Sequence, residues 1–183
     1  MFKLRVILFV VMIVCGRAWA ADLFDGVKCS ADIPKALVGK HDSSESTDAL
    51  EKRHKDLSLK NLGGTEISDR VFMASWQICG HEYELLVNRS GLIRDVLAFP
   101  GHSTAAPMYI GTCQIDGKEM HAQTVAVLNN SAGYDARDGK LARTMLKATA
   151  AWKIDEINGK FVQEATENLG CPLSGIVTAD GGP

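Results

Sequence analysis

The chain has 183 residues, of which 20 are basic and 22 acidic, and its apolar content of 46% is enough to bury the core of an ordinary domain. A balance this close to neutral, more acidic once the first residues are set aside, argues against the basic face that nucleic-acid binding needs. No stretch after residue 20 reaches the length and apolarity of a membrane-spanning helix.

Lys3 and Arg5 charge the start, the wholly apolar run 6–14 follows, and Ala18-Trp19-Ala20 supplies a small-x-small pattern. That is the order of a cleavable secretory signal. Residues 1–20 are therefore expected to be removed, leaving Ala21 first in a single exported domain, residues 21–183, that is periplasmic or secreted. Gly16 and Arg17 interrupt the apolar run well short of the roughly 20 residues a membrane anchor needs. Ile13 and Val14 are not the small residues that precede a lipidated cysteine, so Cys15 is not expected to carry lipid. Losing Lys3, Arg5 and Arg17 takes the 20 basic residues to 17 against 22 acidic, a net charge of −5, and a soluble protein without membrane insertion is expected.

Cys29, Cys79, Cys113 and Cys171 remain, an even number suited to two disulfides in an oxidising compartment. They lie too far apart for the paired spacing of a zinc site. Three pairings are open.

In chain order, Asp32, Pro34 and Gly39 read as the cap, first turn and stop of a short helix. After the polar segment 41–47, Thr47 or Asp48 is placed to cap a second helix through Leu50, with Glu51 and Lys55 at i,i+4 spacing. From about Leu57 the pattern turns to period two. Phe72, Ala74, Trp76 and Ile78 alternate with Met73, Ser75 and Gln77, as in a strand with one buried face. Turn signals follow at 88–91, at Asp116-Gly117 between strands 108–115 and 118–128, and at Asn158-Gly159 between 144–157 and 160–165. Residues 141–154 suit a helix by propensity, yet the alternation of Leu146, Ala148, Ala150, Trp152 and Ile154 before Asn-Gly favours a strand. The expected fold is α+β: short N-terminal helical elements, then a mostly antiparallel, curved sheet of five to seven strands tied by two disulfides.

Motifs for catalysis are absent. His102-Ser103 is a loop dipeptide without a G-x-S-x-G elbow. His41, His54, His81, His102 and His121 are scattered, and the segment 134–139 lacks the acid ladder of a calcium loop. The Gly63-Gly64 and Gly181-Gly182 pairs stand in no phosphate-binding context, so neither metal nor cofactor is expected. Trp76 and Trp152 lie in phase with apolar neighbours and are expected in the core.

Two long connections remain, 99–107 and 129–140, rich in Pro, Gly, Ser and Asn, the kind of segment that carries binding on a rigid sheet. His102, Ser103, Thr104, Tyr134 and Asp135 are the candidate partner-binding residues. The functional expectation is a small exported binding module, of the inhibitor or immunity type, acting on a hydrolase or toxin in the envelope or outside the cell. The competing expectation is a small exported enzyme with an unfamiliar site.

Overall fold

A computed structural model of the protein describes residues 22–42, 45–135 and 144–176. The expected signal segment, residue 21, the second half of loop 129–140 and the Gly181-Gly182 pair lie outside the described residues.

Helix α1, Ile33–Leu37, starts as its residues dictate: the Asp32 side chain accepts from the Lys35 N–H at 3.1 Å, and Pro34 occupies the first turn. Helix α2, Thr47–Arg53, begins after Ser46, with Asp48 in its first turn and Lys52 and Arg53 in its last, charges that complement the helix dipole. Leu50 is its buried residue.

The first sheet is a four-stranded antiparallel meander of β1 (Lys60–Glu66), β2 (Val71–Ile78), β3 (His81–Asn88) and β4 (Ile93–Phe99), in that order. The second sheet holds β5 (Met108–Gly111), β6 (Gln114–Ile115), β7 (Lys118–Glu119), β8 (Thr124–Leu128), β9 (Met145–Asp155), β10 (Lys160–Gln163) and β11 (Leu169–Pro172). Its strands run in the order β5-β8-β9-β11-β6-β7, and β10 also pairs with β9. The expected α+β architecture is present, with its antiparallel strands shared between two sheets, the second of them curved and seven-stranded.

Asp116 and Gly117 both take positive φ, +51° and +74°, which sets a two-residue hairpin between β6 and β7. The strands around it are shorter than their apolar runs suggest. Residues 108–115 divide into β5, which pairs with β8, and β6, which pairs with β7 and β11.

Three apolar clusters follow from this layering. Leu23, Phe24, Leu37 and Leu50 pack with Trp76, Ile78 and Leu85 between the N-terminal segment and the first sheet. Met73, Leu86 and Phe99 meet Met108, Val125 and Ile154 between the sheets. Tyr109, Leu128, Leu146 and Leu173 fill the second sheet's other side. Strand β2 is thus covered on both faces: Met73 and Ser75 are buried like Ala74 and Trp76, while Phe72 is 40% exposed. The single buried face expected from its alternation is corrected by the second sheet, which packs on the Met73 side.

The disulfides are Cys29–Cys79, from the N-terminal segment to the β2–β3 turn, and Cys113–Cys171, which joins the segment before β6 to β11. They close 50 and 58 residues of chain, each worth about 4 kcal/mol in the chain-entropy account.

Candidate functional site

Strand β3 places Glu82, Glu84 and Leu86 on one face, because side chains two apart share a side. That face looks into the layer between the sheets, where Leu86 packs. The pairing of β2 with β3 sets Ser75 opposite Glu84, and the Ser75 hydroxyl donates to Glu84 Oε2 at 2.5 Å. Glu84 is completely buried, and its Oε1 has no hydrogen-bond partner. Burial pushes the Glu84 carboxyl from 4.5 up to about 8; the Ser75 hydrogen bond works against this and the charge of Glu82 adds to it. Glu84 therefore holds its proton in neutral solution.

The neighbouring carboxylate is less buried and has a different partner. Glu82 pairs in register with Phe99, the last residue of β4, so the chain leaving the sheet starts beside it. Gly101, at φ +82°, turns that chain back. His102 Nδ1 then lies 3.0 Å from Glu82 Oε2. This hydrogen bond raises the His102 pKa, burial lowers it, and the charge of Glu82 raises it further; the net direction is up.

Beyond His102 the loop is closed by its own residues. Ser103 N–H donates to the Ala106 carbonyl, and Ala106 N–H donates back to the Ser103 carbonyl and hydroxyl, which makes Ser103 a turn former. Thr104 and Ala105 present their carbonyls to Asn130: its Nδ2 donates to Thr104 O at 3.1 Å and its main-chain N–H to Ala105 O at 2.9 Å. The same Nδ2 donates to Tyr134 O at 2.8 Å, and Asn130 Oδ1 accepts from the Tyr134 N–H at 2.9 Å. A single buried asparagine thus joins the two loops. His102, Ser103, Thr104 and Tyr134 come onto one joined segment, with Tyr134 39% exposed and Asp135 exposed beside it. Residues 136–140 of the second loop lie outside the described residues.

A second group of ligating side chains lies beside Phe24 of the first core. Asp22, Asp25 and His54 bring one ligand atom each within 4.8 Å of one another. Both oxygens of Asp22 and one of Asp25 already accept hydrogen bonds. Asp22 accepts from Arg53 Nη1 at 2.6 Å and from the Phe24 N–H at 2.8 Å, and lies 2.8 Å from His54 Nε2, while Asp25 accepts from the Asp22 N–H. Glu45 holds the other arm of Arg53. This arrangement fastens the start of the described chain to α2.

Reasoning from sequence missed Glu82, Glu84 and Asn130. The signal for Glu84 was its phase with Leu86 on a strand otherwise rich in apolar residues; Asn130 had none beyond being a loop asparagine. No family model, curated protein or solved structure matches the chain.

Proposed function

We propose that this is an exported binding protein whose partner, a protein of the envelope or the surrounding medium, docks on the joined loops 99–107 and 129–135. Asn130 carries the conclusion. It satisfies main-chain groups of both loops at once, so the surface they form is held before any partner arrives and loses less entropy on docking than two free loops would. Tyr134 supplies an exposed aromatic of the kind enriched at binding hot spots. Export is supported by the signal pattern of residues 1–20 and by two disulfides, which persist in oxidising compartments. An inhibitor or immunity role against a hydrolase or toxin is the form of binding this compartment and this preorganised surface suit.

An enzymatic reading has one observation in its favour, a carboxyl with a strongly raised pKa beside a second carboxylate and a histidine. Against it, Glu84 is wholly buried and a substrate would not touch it.

The test is affinity capture from envelope and medium fractions with the wild type, Tyr134→Ala and Asn130→Ala. A captured protein should bind each variant roughly tenfold or more weakly than the wild type. Unchanged affinity in both folded variants removes these loops as the docking surface.

A further inference from the structure

Loop 99–107 is held by two tethers of different chemistry. The distal one, Asn130 on Thr104 and Ala105, involves amide and carbonyl groups only and is indifferent to pH. The proximal one, His102 on Glu82, lies beside a buried carboxyl with an unpartnered oxygen. We propose that Glu82, Glu84 and His102 form a proton-operated latch, which closes the start of loop 99–107 onto β3 while Glu84 and His102 hold their protons and releases it when they lose them.

The charges explain the action. With both protons in place Glu84 is neutral and the His102 imidazolium faces the charge of Glu82, so the cluster carries no net charge. Burial keeps the Glu84 proton up to about pH 8, and the hydrogen bond to Glu82 holds the His102 proton above its ordinary range. Loss of both protons leaves two adjacent carboxylates and a neutral imidazole, a net charge of −2 in a largely buried place. His102 can then still donate from Nδ1 to Glu82, but without charge assistance the bond is weaker.

Among the described residues, nothing packed against the cluster compensates that charge. On the same face β2 contributes Ser75 and Gln77, which are uncharged. Strand β4 contributes Asp95, opposite Leu86, already bound by the Phe161 N–H and 3.8 Å from Lys160 of β10. The second sheet brings apolar Met108, Val125, Val127 and Ile154. Glu84 is fixed inside the layer, whereas Glu82 lies nearer solvent, its side chain 11% exposed, and His102 is 23% exposed. Repulsion is therefore relieved by Glu82 turning outward to solvent, which breaks its contact with His102 and frees the imidazole from β3. Gly101 is the hinge, since its positive φ marks the bend between strand and loop. Asn130 keeps the far end in place, so the movement is confined to residues 100–103.

The latch rests on the loop's own geometry and not on the docking reading, so its test needs no partner and the two fail separately. Isotopically labelled full-length protein is titrated by NMR from about pH 6 to about pH 9.5, across the Glu84 value of about 8 and upward from the ordinary histidine range. The readouts are the His102 ring nitrogens, the Glu84 carboxyl carbon, and cross-relaxation between the His102 ring and the Glu82 side chain. That cross-relaxation should fall roughly fivefold or more as the two groups titrate, while methyl signals of Val125 and Ile154 report an intact layer between the sheets. Glu84→Gln should keep most of the contact through the same range. Glu82→Gln should lower the His102 midpoint and loosen the contact already in neutral solution, which gives a second measurement if the buried variant does not fold. The latch is overturned if the wild-type contact is constant across the titration, or if it is lost to the same extent in Glu84→Gln.

Discussion

Two sites in this molecule are built from the same parts and have opposite electrostatics. At Asp22, a buried carboxyl sits with a histidine, a phenylalanine and a tryptophan: Phe24 lies 5.9 Å from His54 and 5.0 Å from Trp76 between ring centroids. At Glu84, a buried carboxyl again has a histidine nearby, and Phe99 lies 6.0 Å from Trp152 in the cluster that lines the same layer. Burial raises the pKa of both. At Asp22 the hydrogen bonds from His54, Arg53 and the Phe24 N–H outweigh it and hold the carboxyl below its usual 3.8. At Glu84 a single hydroxyl donor faces full burial and a neighbouring carboxylate, and the carboxyl rises to about 8. Depth and donors together decide whether a buried acid is a fastening or a proton store: Glu84 is the more deeply buried and has one neutral donor, whereas Asp22 has several, a guanidinium among them.

The packing around each site gives the largest expected contrast. Trp76 is 3% exposed and central to the helix–sheet core, so Trp76→Ala should cost about 4 kcal/mol in a denaturant melt. Trp152 is only partly buried, at the edge of the layer between the sheets, and Trp152→Ala should cost about half as much. Equal losses would mean that the layer around Glu84 is as tightly built as the core beside Asp22.

Glu84→Gln sharpens the contrast through pH. The folded protein keeps the Glu84 proton up to about pH 8, while the unfolded chain loses it near 4.5. Its contribution is therefore fully present below 4.5 and is lost as pH rises towards 8, at about 1.4 kcal/mol per pH unit, or roughly 3 kcal/mol by pH 7. Glutamine has no such slope, but its amide brings a buried donor with no partner, costing about 1 kcal/mol or more. The stability curves should cross: the variant is weaker in acid and stronger at neutral pH. Parallel curves from pH 4 to pH 8 would show that Glu84 is ionised in the folded state.

Local chemistry was legible in the sequence where it acts over a few residues. Asp32 and Pro34 start α1, Asp116-Gly117 turns β6 into β7, and the alternation through Leu146 and Ile154 marks β9. An even cysteine count announced two disulfides without choosing 29–79 and 113–171, since spacing fixes no pairing. What remained hidden depends on contacts far along the chain. The pairing of β5 with β8, and the burial of Met73 and Ser75 beneath the second sheet, cannot be read from either segment alone. The same holds for the site. His102, Ser103, Thr104 and Tyr134 stood out as loop residues, but their union through Asn130 and the approach of His102 to Glu82 arise only when β3, β4 and two loops are assembled.

Asp22→Asn gives the smallest of the three effects and runs the opposite way with pH. Asparagine keeps the shape of the side chain and one acceptor oxygen, so the Phe24 N–H can still be satisfied, but an amide N–H now faces Arg53 and His54. Losing charge-assisted bonds at a buried acceptor costs about 2 kcal/mol, a figure reduced because Arg53 is half exposed and water can take over its partner's place. The Asp22 pKa is depressed on folding, so its contribution is present above the unfolded value of 3.8 and disappears as pH falls through the lower folded value. Urea melts of the wild type and variant at intervals between about pH 2.5 and pH 8 should therefore show a gap that is constant from pH 5 upward and narrows in acid. The gap between the wild type and Glu84→Gln changes over the range where this one is flat. If the Asp22→Asn gap narrowed instead as pH rose from 5 to 8, Asp22 would be holding a proton as Glu84 does, and hydrogen-bond donors would not be what separates the two sites.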